Sequence, residues 1–193
     1  IEDVHPTANA GGPYSPAQGE AQTFDATLSR AANAADPITE VRWIWGDGSD
    51  DTVGAPPEAL TPTHVFERDG QYEVRLVVTD EDSARSQVVQ VSVRDVPPAF
   101  GPNGVTFAPE QPYELQDVTF TVDADAGAPG DPLISFDFDF LGNGQVQQYP
   151  MSEVTYQYLE AGDFTVEVKV RDEDSLARLS FPISVRSITL SDL

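Results

Sequence analysis

Residues His64–Ser83 read HVFERDGQYEVRLVVTDEDS, and residues Tyr156–Ser175 read YQYLEAGDFTVEVKVRDEDS. The second stretch repeats the first 92 positions later, with Gly70 matched by Gly162 and the closing Asp-Glu-Asp-Ser kept in both. Apolar and polar residues alternate through the middle of each copy, which is typical of a β-strand with one buried face and one wet face. A repeat of this length is too long for a solenoid and fits a duplicated domain.

A second alternating run supports strands in both copies. It places large apolar residues at every other position: Val41, Trp43 and Trp45 in the first copy, and Ile134, Phe136, Phe138 and Phe140 in the second. Glycine-containing turn signals separate such runs at intervals of about 8–12 residues, and no helical period is sustained. The predicted fold class is all-β, with two tandem antiparallel β-sandwiches and at least one of the two tryptophans in a core.

The repeat also suggests where the domains begin and end. We expect a first domain over residues 1–95, a Pro-rich linker over 96–103, a second domain over 104–187, and a tail over 188–193. Three prolines (Pro97, Pro98 and Pro102) favour a stiff, extended linker rather than a flexible one.

Composition excludes several classes of function. The chain has 33 acidic and 10 basic residues, a net charge of -23, and the acids are spread over both halves. Such a field repels nucleic acid and anionic membranes and attracts cations and basic partners. The absence of cysteine excludes disulfides, cysteine-based zinc sites and thiol catalysis. The acidity fits a solvated surface, a salt-rich habitat or divalent-cation binding, and the sequence leaves these alternatives open.

No apolar run is long enough to span a bilayer, so we expect no direct membrane insertion. The chain also lacks a basic segment followed by an apolar one, the pattern of a signal peptide. Since the sequence opens directly on module-like residues, we expect it to be a fragment of a longer secreted protein.

These residues resemble the PKD (polycystic kidney disease) domain. The first copy carries the family's pieces in order: Pro6–Gly11, Thr23–Ala26, Trp43–Gly48, Pro62–Phe66 and Gly70–Val74. The second copy resembles a more diverged member, with Leu141-Gly142-Asn143-Gly144 where the first has Gly46-Asp47-Gly48. The resemblance implies an immunoglobulin-like sandwich, found in strings on cell-surface proteins, adhesins and secreted hydrolases.

The resemblance implies a non-catalytic, extracellular structural or adhesive module of a larger secreted or cell-surface protein, from a bacterium or archaeon. Such a module acts as a spacer and a protein–protein interaction element. Its expected partners are the other domains of the parent protein and an extracellular protein or polysaccharide ligand, and the fragment itself is expected to be monomeric. The alternative function is an accessory module that binds polysaccharide or fibrous protein for a secreted hydrolase.

The resemblance further implies a calcium site near one end of each sandwich, where an acid of the loop after the second strand meets the Asp that ends the sixth. By position, this pairs Asp36 with Asp80 and Asp131 with Asp172. Crowded carboxylates repel unless solvent or a cation offsets them. Calcium is the only cofactor expected. The alternative is that Asp80 and Asp172 cap a turn through hydrogen bonds to the backbone.

Three other features have residue types seen in active or metal sites. His64 lies in the Pro-x-His signature with no nucleophile placed beside it, so we expect a structural role. Asp137 and Asp139 are spaced like a glycosidase pair, but strand alternation alone predicts them on the solvent face. Residues 47–58 have EF-hand spacing without the glycine at position 6 or the flanking helices. We therefore expect no enzyme.

Overall fold

The computed structural model describes residues 5–189. The chain forms two compact units, of which the first ends at Asp95 and the second begins at Val96. Apart from one 3-10 turn (Glu58–Leu60), the regular elements of the described residues are β-strands, and this confirms the all-β prediction. No helix within residues 5–189 has the length and hydrophobicity needed to cross a membrane. Residues 190–193 of the predicted tail lie outside the described residues.

The first unit has two antiparallel sheets. Its strands are β1 (Ala21–Thr23), β2 (Glu40–Ile44), β3 (Thr52–Gly54), β4 (Thr63–Val65), β5 (Gly70–Thr79) and β6 (Ala84–Val93). One sheet has the order β3-β2-β5-β6, and the other pairs β1 with β4. The N-terminal segment runs parallel to β6 through bridges from Tyr14 to Val91 and from Ala17 to Arg94.

The core of the first unit forms where the apolar rows meet. The alternation in β5 buries three side chains completely: Val74, Leu76 and Val78. Trp43 on β2 and Trp45, just after that strand, are both buried and stack with ring centroids 5.7 Å apart. Their indole N–H groups donate to Ala59 O at 3.0 Å and to Thr52 Oγ1 at 3.2 Å. Because a buried indole needs a hydrogen-bond acceptor, these contacts let both tryptophans occupy the core, where the sequence predicted at least one.

The second unit repeats this plan and has a third strand in its smaller sheet. Its strands are β7 (Ala99–Ala108), β8 (Asp117–Asp125), β9 (Ser135–Asp139), β10 (Gln147–Tyr149), β11 (Glu153–Gln157), β12 (Gly162–Arg171) and β13 (Leu176–Val185). The sheets have the orders β10-β9-β12-β13 and β11-β8-β7, and every strand pair is antiparallel. Buried residues of β8, β9 and β12 fill the core: Val118, Phe120, Phe136, Phe138, Val166, Val168 and Val170.

Part of the segment expected as a linker belongs to this second unit. Residues 99–103 lie in β7, although the sequence predicted residues 96–103 as a spacer. β7 pairs with β8 on one side only, and its register shifts between Phe100 and Val105. An edge strand with a bulge tolerates proline and glycine because it needs fewer ladder hydrogen bonds. Composition alone therefore overestimated the linker.

Strand β9 differs from its predicted pattern. Ile134, expected in the buried row, lies just before the strand and is 57% exposed. Asp137 and Asp139, expected on the solvent face, are only 5% and 6% exposed. The reason is that β9 is an internal strand, with β10 on one side and β12 on the other. Side chains from both neighbours cover its outer face.

Candidate functional site

The first unit gathers three aspartates at one end of its sandwich. Asp80 follows directly after β5, Asp82 lies in the hairpin between β5 and β6, and Asp36 comes from the loop before β2. Each offers one carboxylate oxygen, and the three oxygens lie within 4.8 Å of one another. The structure thus brings together the predicted pair Asp36 and Asp80, which are 44 positions apart in the sequence.

Asp80 is fixed by its own hairpin. Its Oδ1 accepts hydrogen bonds from Ser83 N at 2.7 Å, Ser83 Oγ at 2.9 Å and Asp82 N at 3.3 Å. Burial favours the neutral carboxyl, but the hydrogen bonds donated by Ser83 and Asp82 outweigh it and hold the pKa of Asp80 below its usual value. The group is therefore an oriented turn cap whose carboxylate also faces the other two aspartates, so the turn role and a ligand role are compatible.

Asp36 contributes a carboxylate oxygen that the protein does not satisfy. Its Oδ1 is buried and has no hydrogen-bond partner. A buried charged oxygen without a donor is costly, and native proteins rarely leave one unmatched. The following Pro37 restricts Asp36 to an extended backbone, which limits the directions its side chain can take.

The second unit repeats the arrangement with Asp131, Asp172 and Asp174, whose oxygens also lie within 4.8 Å of one another. Asp172 follows directly after the strand β12 and accepts from Ser175 N at 2.6 Å and from Asp174 N at 3.2 Å. Asp131 receives a hydrogen bond from Glu173 N at 3.5 Å and, like Asp36, precedes a proline. Asp131 and Asp172 are 6% and 2% exposed. The same three-acid plan thus occurs in both units.

The chemistry of these clusters fits calcium better than other common metals. Calcium binds oxygen ligands at 2.3–2.6 Å, so two ligands of one ion lie at most about 5 Å apart. Magnesium demands shorter bonds and a stricter octahedron, and structural zinc prefers nitrogen and sulfur. Three carboxylates supply three to six oxygens, and water or backbone carbonyls can complete the usual six to eight.

Asp82 and Asp174 belong to the crowded carboxylates that the sequence places in each hairpin, beside the predicted ligands Asp80 and Asp172. The sequence places each two residues after the aspartate that ends a strand, and it repeats the whole Asp-Glu-Asp-Ser tetrapeptide. That repeat was the available signal. It became informative only with the hairpin geometry, which turns the second aspartate toward the first.

The two acids of β9 are committed to structural bonds. Asp137 Oδ2 accepts from Arg171 Nε at 2.6 Å, and Asp137 Oδ1 accepts from Gln148 Nε2 at 3.2 Å. Asp139 Oδ2 accepts from Gly144 N at 2.7 Å, which anchors the turn after the strand. Both carboxylates therefore fasten β9 to its surroundings.

His64 and Asp47 form a second structural pair. His64 Nε2 lies 2.7 Å from Asp47 Oδ2, and the imidazole stacks on Trp45 with centroids 4.2 Å apart. Asp47 also accepts from Ser49 Oγ at 2.5 Å. Burial works against ionisation of Asp47, but the bonds from Ser49 and His64 hold its pKa below the usual value. The carboxylate closes the turn after β2, as the turn interpretation of the sequence predicted.

Residues 3–94 match the PKD domain family, and residues 102–185 match it a second time. The chain is a tandem pair of PKD domains. The family matches confirm the resemblance drawn from the repeated motifs. Both matched domains belong to the class of immunoglobulin-like modules rather than to a class of catalytic domains. The first unit is therefore the first PKD domain, and the second unit is the second.

A relative is known among bacterial enzymes. The chain is 33% identical over 95 residues to Collagenase ColQ1 of Bacillus cereus (strain Q1). The match covers 49% of this chain and 9% of the collagenase. The chain therefore spans less than a tenth of the collagenase it matches, and the matched segment is a small part of a larger protein.

A solved structure agrees with the fold. The amphioxus IgVJ-C2 molecule is similar with a TM-score of 0.50 at 15% identity, covering 89% of this chain and 99% of that one. The PKD1 domain of Vibrio anguillarum Epp is 20% identical with a TM-score of 0.36, covering 48% of this chain and 96% of that one. At such identities the likeness concerns the fold alone.

Proposed function

We propose that this pair of PKD domains is a non-catalytic, calcium-stabilised spacer within a larger extracellular protein. The observation that carries the proposal is the recurrence of one three-aspartate cluster in both domains. The second domain has diverged in its turns and core, yet it keeps the same acids in the same hairpin and loop.

The calcium role follows from the balance of charges in each cluster. Three carboxylates within 4.8 Å repel one another, and Asp80 and Asp172 accept hydrogen bonds from the backbone N–H groups of Ser83 and Ser175. A bound calcium ion would supply the positive charge, give Asp36 Oδ1 a partner, and tie the loop before the second strand to the β-hairpin. Each domain would thereby gain a cross-link at one end of its sandwich.

The spacer role rests on the way both domains use their side chains, which form cores and structural bonds. Both domains are complete sandwiches with their own cores, and the acids of β9 and the His64 pair are used in structural bonds. Such a unit adds length and rigidity between other domains of the parent protein, and its acidity keeps it dispersed as a monomer. An extracellular location, where calcium is abundant, suits this role.

Calorimetry of the chelated chain tests the calcium role. Calcium at one hundred times its dissociation constant should stabilise each domain by about 2.7 kcal/mol, which raises Tm by roughly 10 °C or more. Magnesium at equal concentration should act more weakly, and sodium chloride at matched ionic strength controls for screening. Two sites per chain should appear in the binding isotherm. Identical melting curves with calcium and with chelator would refute the role.

A second candidate function is substrate binding for a secreted hydrolase. The likeness to part of a protein named a collagenase favours it, because the matched segment makes up only 9% of that larger protein. The test is retention of the purified chain on collagen, cellulose and chitin. Retention on one of these supports an accessory binding module, and passage through all three argues for the spacer alone.

A further inference from the structure

The two PKD domains have corresponding surfaces, at the start of β5 in the first domain and at the start of β12 in the second. The side chains at these two surfaces differ. In the second domain, Leu115 N donates to Tyr158 O at 2.7 Å. In the first, Gly19 N donates to Phe66 O at 2.8 Å. Both residues have left-handed backbones, with φ of 62° for Leu115 and 73° for Gly19. The two positions are therefore equivalent, and leucine stands where the backbone favours glycine.

Two more leucines of the second domain surround this position. Leu159 occurs where the repeat has Glu67. Leu141 has no counterpart in the first domain. Gly46 lies against Glu73 O in the first domain as Gly142 lies against Thr165 O in the second, so these two glycines are equivalent. Leu141, just before Gly142, is therefore an inserted residue. The three leucines are strongly exposed: Leu115 by 56%, Leu141 by 38% and Leu159 by 73%.

Leu141 and Leu159 line an aromatic cavity, and Leu115 is bonded through its backbone to Tyr158 of the same lining. A cavity of about 230 Å³ is lined by Leu141, Tyr156, Tyr158, Leu159, Glu160 and Phe164. Tyr156 stacks on Phe140 with ring centroids 4.0 Å apart, and the buried Tyr158 hydroxyl donates to Phe140 O at 3.2 Å. Its aromatic floor is thus held rigidly. The corresponding hollow of the first domain is lined instead by polar groups that include Asp47, Glu67 and Arg68.

The fold does not require this apolar surface. The first domain makes the same backbone bond with glycine and closes the same turn without the inserted residue. A leucine side chain left in water does not gain the favourable free energy of burial, and a leucine with positive φ also has a conformational cost. Retaining three of them at one place is typical of a docking surface, where a partner covers them.

The charges at this surface indicate what the partner carries. Glu160 lines the cavity where the first domain has Arg68, and Glu114 replaces Gln18 beside it. Glu114 is positioned by Ala161 N, which donates to its Oε2 at 3.1 Å. No lysine or arginine is among the lining residues, and the whole chain has a net charge of -23. A second copy would bring the same acids and be repelled.

We propose that this surface docks a segment of a partner protein that carries aliphatic side chains between lysine or arginine residues. The aliphatic groups cover the three leucines, and a cationic group lies over Tyr156 or Phe164 next to Glu160. The site is independent of the calcium proposal. Gly162 begins β12 and Arg171 ends it, so the surface lies about 30 Å from the Asp172 cluster.

Titration of the full chain with synthetic peptides tests the proposal. The probes are a nine-residue peptide alternating lysine and leucine, a lysine–serine peptide and a glutamate–leucine peptide of equal length. Backbone amide NMR shifts should move for residues 114–116, 141–144 and 156–164 with the lysine–leucine peptide alone. Residues 18–20 and 64–72 of the first domain should stay unchanged and serve as the internal control.

The double substitution Leu115→Gly with Leu159→Glu restores the residues of the first domain and should weaken binding at least about tenfold. Its melting temperature should not fall, because glycine fits the left-handed backbone. Glu67→Gln, on the matching surface of the first domain, should leave the affinity unchanged. The calcium titration remains a separate measurement, so either proposal can fail alone.

Four results would overturn the docking surface. Equal binding of the lysine–serine peptide would show charge attraction without the leucines. Equal binding of the glutamate–leucine peptide would remove the role of the acids. Unchanged affinity of the double variant would place the site elsewhere. Self-association of the native chain that the double variant abolishes would make a second copy the occupant.

Discussion

Replacing Asp131 with asparagine should change the stability of the second PKD domain in opposite directions with and without calcium. The side chain is 6% exposed, and its oxygen lies within 4.8 Å of oxygens from Asp172 and Asp174. Asparagine has nearly the same volume and keeps an oxygen that can accept from Glu173 N. The substitution Asp131→Asn therefore removes one charge and changes little else.

The magnitude follows from the separation of the charges. Two carboxylates 4.8 Å apart repel by about 3.5 kcal/mol at an effective dielectric constant of 20, and by about 1 kcal/mol in water. With chelator present, Asp131→Asn should thus stabilise the domain by roughly 1–3 kcal/mol. With saturating calcium, the variant should instead lose most of the roughly 2.7 kcal/mol that a tightly bound ion contributes. For a domain of this size, each kcal/mol shifts Tm by about 4–8 °C.

Differential scanning calorimetry of the full chain, with chelator and with excess calcium, measures both effects. The matched control is Asp163→Asn, at the exposed start of β12, where the carboxylate accepts from Ser184 Oγ at 2.6 Å. The control should shift Tm by the same small amount in both conditions. If Asp131→Asn changes Tm with the same sign and size in both, the cluster does not hold a cation and the reasoning is wrong.

Three further predictions concern single positions. Asp47→Asn should lower Tm at neutral pH and make Tm fall less steeply in acid. The pKa of Asp47 is depressed in the folded state, so the stabilisation from its carboxylate is present above about pH 3.9 and is lost as the pH falls through the lower folded pKa. Circular dichroism melts of the native chain and the variant from pH 7 to pH 2 measure this difference. Gly46→Ala should cost about 2–4 kcal/mol in urea unfolding, because its Cβ would lie 2.7 Å from Glu73 O on a left-handed backbone; Gly48→Ala, with open space around it, should cost clearly less. Gly19→Leu should destabilise the first domain by about 1 kcal/mol, whereas Leu115→Gly should leave the second as stable or more so, and the reverse order would contradict the equivalence of the two positions.

The strands that pack the cores could be predicted because their signal is local. In β5 and β12 the apolar residues recur at every second position, and this period places them on one face whatever the strand contacts. Val74, Leu76 and Val78 are buried for that reason, and so are Val166, Val168 and Val170. The duplication itself made the prediction stronger, since two diverged copies kept the same period.

The burial of Asp137 and Asp139 could not be predicted in the same way. Alternation fixes which face of β9 they occupy, but not what lies over that face. Gln148 and Arg171 cover Asp137 because β10 and β12 flank β9, and strand order is a property of the whole sheet. The length of β7 escaped prediction for a related reason, since an edge strand does not need a regular sequence.

The sequence by itself determined the number of domains, the fold class and the acids that recur with the repeat, because period, spacing and charge belong to the chain alone. The tertiary structure decided which distant groups meet: Asp36 with Asp80 and Asp82, Leu141 with Leu159 at one cavity, and Leu115 with Tyr158 of that cavity. Loops have no period to reveal where they end, and their side chains acquire neighbours only when the sheets that carry them have paired.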